Sequence, residues 1–535
     1  MDKIHYDGPV VLAILDGVGL SAKKEYNAIA EARTPFLKKA STYLHTSLEA
    51  SSEAVGLLPG TMGNSEVGHN TIGCGQIIKH GIAHIKDAFD SGAIWQSEAW
   101  RGLIETATKH ESDDEPVHTL HFSGIFSDGR VHSDINQLEQ MIEKAYAAGV
   151  RKFRIHPVFD GRDVAPQSEP KYINRIEEFA KQFTDADIKI ADGGGRMTTT
   201  ADRYENDWSM VERGWNIMVH GISDNKFHSA NEAIEYFRSK DPEIQDQYLP
   251  DFVIVDENNN PVGKVEKGDA FVYIDFRPDR AIEIATAFDV RDFSKFNRGN
   301  QYITDDIFFA GLTEYDSDNH IPKNQLIKPN YITNPLNKFL NEKKVNELAV
   351  SETVKFGHVT YFFNGNSYEE SPYEKSIEVP SYTEPFQTRP WMKSAEITDV
   401  VVEKMQDFDF VRVNFPAGDM VGHFADMDST VIALEATDLS LARIAKKVDE
   451  LGGCLIITAD HGNAEELADE NGVPKTSHTL NNVPFIIYDN TENREKYIIN
   501  DIKNPGLANI TSTIATLLGF DDYPESWQKP LIVVK

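Results

Sequence analysis

Short, almost wholly apolar runs alternate with amphipathic stretches along the 535-residue chain. The first, PVVLAILDG, is apolar from Val10 to Leu15 and closes on Asp16-Gly17. TLHFSG at 119–124, RKFRIHPVFDGRD at 151–163, DIKIADGGG at 187–195, FDFVRVNF at 408–415 and CLIITAD at 454–460 have the same form and read as buried strands. FVIVDENNNPVGKVEKGDAFVYIDF, at 252–276, reads as two strands around a polar, Asn-rich turn. Leu434, Leu441, Ala445 and Val448 recur at steps of seven, four and three, the apolar face of a helix that Gly452-Gly453 stops. Strand, helix and strand in that order make a βαβ unit. The whole pattern predicts an α/β fold with largely parallel sheets. Residues 364–390 are polar and proline-bearing without a period, and read as an extended surface loop.

Length and charge narrow the picture. A chain this long divides into two or three domains. Lys and Arg total 53 against 85 Asp and Glu, a net charge of −32, which disfavours nucleic acid or an anionic membrane as partner. An anionic substrate would therefore need a local cluster of cations. Two cysteines, Cys74 and Cys454, do not make a disulfide framework and suit a reducing cytoplasm. The start, MDKIHYDGPVVLAILDG, lacks the basic region and cleavage site of a signal peptide, and no apolar run is long enough to span a bilayer. A soluble cytoplasmic protein is expected.

One segment fits no period. PGTMGNSEVGHNTIGCG, at 59–75, sets Ser65 between Asn64 and Glu66. A helix N-cap would satisfy structure; a nucleophile would need an activator. Candidate activators close three of the strands: Asp16, Asp460-His461, and Asp419 with His423 in NFPAGDMVGH, while His478 lies in a polar SHT turn. Each acid alone could be a cap, and Asp419 with His423 an ordinary exposed helical pair. Together with Ser65 they supply seven oxygen and nitrogen donors, enough for two divalent ions. Mixed carboxylate and imidazole donors without thiolates favour Mn²⁺, with Mg²⁺, Co²⁺ or Zn²⁺ as alternatives. Two such ions would activate the Ser65 hydroxyl and clamp a transferring phosphoryl group.

The middle of the chain carries different chemistry. SDGRVHSD holds His132, FDGRDVAP holds Arg162 and Asp163, GGGRMTTTADRYENDW holds Arg196 and Arg203, and DFRPDR holds Arg277 and Arg280. Each arginine alone could be a surface ion pair, and Asp163 its neighbour's partner. As a set, five planar forks would bind phosphate and carboxylate bidentately.

In their order these motifs resemble the cofactor-independent phosphoglycerate mutases of the alkaline phosphatase superfamily, over nearly the whole chain. LDGVG, GNSEVGHNTIG, FSDGRVHSD, DGRDVAP, GGGRM with DRYENDW, FRPDR, SETVKFGHVTYFFNG, NFPAGDMVGH, TADHGNAE and SHT carry the resemblance. The resemblance implies a metal domain built from both chain ends, 1–80 and 317–535, with a substrate-binding domain at 85–310 inserted and hinges near 79–84 and 311–316. It implies that Asp419, His423 and His478 hold one ion and Asp16, Ser65, Asp460 and His461 the other. Arg162, Arg196, Arg203, Arg277 and Arg280 would grip substrate, with His132 and Asp163 near its hydroxyls and Lys355 facing the phosphoryl group. The implied reaction interconverts 3- and 2-phosphoglycerate through phosphorylated Ser65 without 2,3-bisphosphoglycerate, in a monomer that closes about its hinges. A related phosphatase or phosphopentomutase is the alternative; it would share the metal residues but not need Asp163, His132 and the five arginines.

Overall fold

Six consecutive apolar residues, Val10–Leu15, form a strand in which every side chain is buried. Such a strand can only lie inside a sheet covered on both faces. It does so in a computed structural model that describes residues 4–109, 118–299, 307–317, 319–330 and 332–535. The strand pairs in parallel with Phe410–Phe415 on one side and Cys454–Thr458 on the other. The full seven-stranded order is 374–379, 347–352, 410–415, 10–15, 454–458, 483–488 and 44–48, with only the last two joined antiparallel to their neighbours. The amphipathic helix is Met427–Leu451, and Gly452, at φ 73°, ends it in the left-handed conformation that glycine adopts without strain. It connects the two strands that flank Val10–Leu15.

The chain divides into two compact units, Met1–His80 with Asn330–Lys535, and Gly81–Pro329. Segment 311–316, where the resemblance implies a hinge, falls within the second unit. Tyr315 is buried there and donates its hydroxyl to the Tyr273 and Asp275 carbonyls at 3.0 and 2.7 Å, and the Leu326 N–H binds Gly311 back at 3.0 Å.

The second unit has its own sheet, in the order 308–311, 270–273, 120–125, 152–159, 192–195, 252–254 and 226–227, with 187–190 paired beside the start of 152–159. DIKIADGGG is therefore two short strands broken at Ala191, and 252–254 and 270–273 are not partners. The turn between them is as polar as expected, with the Asp256 carboxylate accepting the N–H groups of Asn258 and Asn260 at 2.8 Å each. One sequence expectation is corrected: 364–390 contains the strand Glu374–Val379, an edge strand in which only Val379 is buried, so that it carries no apolar pattern.

Candidate active site

Three adjacent parallel strands, 410–415, 10–15 and 454–458, end side by side and deliver Asp419, Asp16 and Asp460 to one edge of the first sheet. Ser65 arrives there on a helix, Ser65–Cys74, in which nine of ten residues are buried. Burial on all sides explains why the segment shows no amphipathic period. The cap of this helix is Asn64, whose side chain accepts the Val67 N–H at 3.0 Å, so the Ser65 hydroxyl is spared that duty. Ser65 Oγ lies 3.2 Å from Asp16 Oδ1 and 3.0 Å from His461 Nε2, and Lys355 Nζ donates to it. Lys355 also reaches Asp16 Oδ1 at 3.0 Å and Asp419 Oδ2 at 2.8 Å. His423 and His478 each place Nε2 at 3.2 Å from Asp419 Oδ1.

The donors fit divalent cations. His423 Nδ1 faces the Thr476 carbonyl at 2.6 Å and His478 Nδ1 the Gly63 carbonyl at 2.8 Å. A carbonyl only accepts, so both Nδ1 atoms carry hydrogen and both Nε2 atoms turn toward the carboxylates, as imidazole ligands held by a second hydrogen bond do. Asp460 Oδ2 is buried without a hydrogen bond, 3.2 Å from His69 Nδ1. Burial and the neighbouring Asp460 charge push the Asp16 carboxyl above its ordinary range. Burial would raise Asp419 too, but the Lys355 charge, joined by hydrogen bonds from His423 and His478 when their Nε2 atoms are also protonated, outweighs it and holds it well below. Without a further cation, Lys355 is the group that answers this concentration of buried negative charge.

Gly17, at φ 73°, lets the backbone turn hard after Asp16. A Cβ there would meet Asp419 at 2.7 Å.

In the second unit the same edge rule holds. Strands 120–125, 152–159 and 270–273 run in parallel, and the loops after them carry His132, then Arg162 and Asp163, then Arg277 and Arg280. Arg196 follows Asp192–Gly195, is 2 % exposed, and donates to Asp160 Oδ1 at 2.7 Å, to Asp163 and to His132 Nε2 at 2.9 Å. Arginine cannot accept, so His132 Nε2 offers its lone pair and the ring proton sits on Nδ1, 3.6 Å from Asp279 Oδ1. Burial and the Arg196 charge lower His132 to about 4, which keeps it neutral at pH 7. Asp279 also pairs with Arg203 at 3.3 Å and Arg277 at 3.1 Å. Arg280 is buried and donates to the Ala201 carbonyl at 2.6 Å, whereas Arg162 is exposed.

The residues singled out from sequence thus gather beyond the strand ends of the two sheets, one group per unit, with the Arg162 side chain exposed. Sequence reasoning missed the groups that hold them. His69, one turn after Ser65, binds the Ser65 carbonyl at 2.8 Å, and Asn414 bridges His69 and Asp16 at 3.0 and 2.8 Å. Asn463 donates to Asp419 at 3.1 Å. Asp160 and Asp279 lie inside the motifs FDGRD and FRPDR, and an acid one or two residues from an arginine was the available signal.

A model of the Metalloenzyme superfamily matches residues 8–522. A 2,3-bisphosphoglycerate-independent phosphoglycerate mutase of Trypanosoma brucei brucei is 41% identical, covering 98% of this chain and 97% of its own. The 2,3-bisphosphoglycerate-independent phosphoglycerate mutase 1 of Arabidopsis thaliana is 39% identical, covering 99% and 97%. A crystal structure of Leishmania mexicana phosphoglycerate mutase at low cobalt concentration matches with TM-score 0.64 and 40% identity, covering all of both chains.

Proposed function

Because the chain belongs to the Metalloenzyme superfamily and, within it, to the 2,3-bisphosphoglycerate-independent phosphoglycerate mutases, we propose that its interconversion of 3- and 2-phosphoglycerate proceeds through a phosphorylated Ser65. The observation that carries this reading is the convergence of Asp16, His461 and Lys355 on one buried serine oxygen. Asp419, His423 and His478 would hold one divalent ion, and Asp16, Ser65, Asp460 and His461 a second. Mn²⁺, the best match to these donors, would draw charge from the Ser65 hydroxyl and offset charge on the phosphoryl group.

The remaining work falls to the chain's own groups. Lys355, kept protonated by Asp16 and Asp419 against the pull of burial, donates to a phosphoryl oxygen as Ser65 attacks. Arg162, Arg196, Arg203, Arg277 and Arg280 hold the anionic substrate, so that glycerate stays bound while the phosphoryl group is on Ser65. Asp163, beside Arg196 and 3.8 Å from His132, takes the proton from the hydroxyl that recovers the phosphoryl group, and neutral His132 orients that hydroxyl. Water must be excluded while Ser65 is phosphorylated, since its attack would release phosphate. We place the reaction in the cytoplasm and in a monomer, as nothing in it calls for a second subunit; no helix among the described residues is long and apolar enough to cross a membrane.

The test follows 3-phosphoglycerate by phosphorus NMR without 2,3-bisphosphoglycerate, after chelation and again after adding Mn²⁺. Isomerisation should return only with metal, and Ser65→Ala should abolish it while Mn²⁺ still raises the melting temperature. A Ser65→Ala enzyme that still isomerises refutes the covalent route, and release of inorganic phosphate by the native enzyme shows that glycerate is not retained.

A further inference from the structure

Arg203 is carried by backbone that is held against its own preference. Thr200 (φ 64°), Tyr204 (φ 63°) and Glu205 (φ 54°) all occupy the left-handed region, and none is glycine. Such residues persist where their surroundings over-determine them. Two buried carboxyl groups do so here. Asp202 accepts the Asp207 N–H at 2.6 Å, and Glu283 accepts the Glu205 N–H at 2.9 Å. Both side chains are nearly inaccessible, and Glu283 Oε2 has no hydrogen-bond donor among the described residues. The Asp202 carboxyl is close enough to Glu283 to act on its charge.

The surroundings are mixed in charge. Glu283 lines a cavity of about 860 Å³ together with Glu205, Asp279, Asp289, Arg291, Lys295, Asp316 and Lys323. Lys295 is bound to Glu205 and Lys323 to the Asp289 main chain at 3.2 Å, while Asp279 is shared by Arg203 and Arg277. Burial, joined by the charges of Asp202 and Glu205 and opposed by the Glu205 N–H, raises the Glu283 carboxyl to about 7.

We propose that Glu283 is a positioning residue for Arg203: Glu283 and Asp202, each accepting a main-chain N–H of the strained 200–207 loop, clamp that loop and hold the Arg203 guanidinium at Asp279 to receive the substrate's anionic group. The inference rests on the assignment of Arg203 to substrate. Loss of the Glu283 acceptor leaves the Glu205 N–H without its partner and slackens the loop. Affinity for phosphoglycerate then falls, while the rate of the Ser65 chemistry on bound substrate is kept.

Steady-state kinetics with 3-phosphoglycerate at saturating Mn²⁺, from roughly pH 6 to 9, test this with three variants. Arg203→Ala should raise KM by about tenfold or more at every pH, the usual loss for a charge-assisted hydrogen bond. Glu283→Ala should raise KM by a similar factor and leave kcat within about twofold. In Glu283→Gln the amide keeps an oxygen for the Glu205 N–H. It should therefore hold the native KM, and a KM as high as that of Glu283→Ala refutes the hydrogen bond as the clamp. If Arg203→Ala raises KM and Glu283→Ala does not, the clamp is refuted and the role of Arg203 stands. If Arg203→Ala leaves KM unchanged, both fall. Should Glu283→Ala fail to fold, Glu283→Met, which keeps the bulk and loses the acceptor, decides: a native KM refutes the clamp.

Discussion

Replacing Lys355 with methionine tests whether one ammonium group does the work of a cation in the metal-free protein. The side chain is 5 % exposed, and its Nζ lies 3.0 Å from Asp16, 2.8 Å from Asp419 and against Ser65. Methionine keeps the length and removes the charge, leaving buried carboxylates facing one another. Breaking a buried ion pair from one side costs about 3–5 kcal/mol. At roughly 2 °C per kcal/mol for a unit of this size, the melting temperature in chelator should fall by about 6–10 °C. Mn²⁺ binds the folded protein and supplies the missing positive charge, so most of that loss should be recovered on adding it. Activity should not recover. A donor aimed at a developing phosphoryl charge is worth about 10²- to 10³-fold in kcat, and methionine cannot donate. Thermal melting with and without Mn²⁺, paired with kcat at saturating metal, gives both numbers. A variant that melts with the native protein in chelator, or keeps kcat within about tenfold when loaded, refutes this account of Lys355.

Two further perturbations probe other features. His132 is lowered to about 4 by burial and Arg196, below the roughly 6.5 of an unfolded chain, so the unfolded state takes up the proton first and stability is lost as pH falls from about 6.5 to about 4. His132→Gln keeps an acceptor for Arg196 and cannot titrate. Urea unfolding should therefore show about 3 kcal/mol less acid destabilisation across that window, and an acid limb equal to the native one counts against the assignment. At Gly68 a Cβ would meet the Asp460 carbonyl oxygen at 2.6 Å and its Cβ at 2.8 Å. Gly68→Ala should displace Asp460 and weaken Mn²⁺ binding by about 10- to 100-fold in calorimetric titration; unchanged affinity shows that the helix carries no such constraint.

The strands that build both clusters were legible because each is a short run of buried apolar residues ending in a chemical group, as in Leu15-Asp16 and Thr458-Ala459-Asp460. Position after a strand end, rather than residue type alone, separated these acids from ordinary turn formers. The helix bearing Ser65 was not legible, since a helix buried all round has no polar face to set a period. The strand 374–379 escaped for the opposite reason: at a sheet edge its partners are main-chain groups, and its side chains are free to be polar. His69, Asn414 and Asn463 were hidden because their task is to hold other side chains, and that depends on strands brought together from remote parts of the chain. Glu283 is of the same kind, marked only by the left-handed residues it restrains.

The central strand Val10–Leu15 has consequences for how this protein is made. Its two partners begin at Phe410 and Cys454, so on the ribosome it leaves the exit tunnel long before either exists. At about 5–20 residues per second the nearer partner follows roughly 20–80 s later. During that interval the segment Gly81–Pro329 emerges whole and has every strand of its own sheet to hand. The newborn enzyme thus folds from its middle outward, with VVLAIL left as an unpaired apolar ribbon at the front. A nascent-chain binding factor that shields such ribbons would find its target here long before the strand's own partners are made.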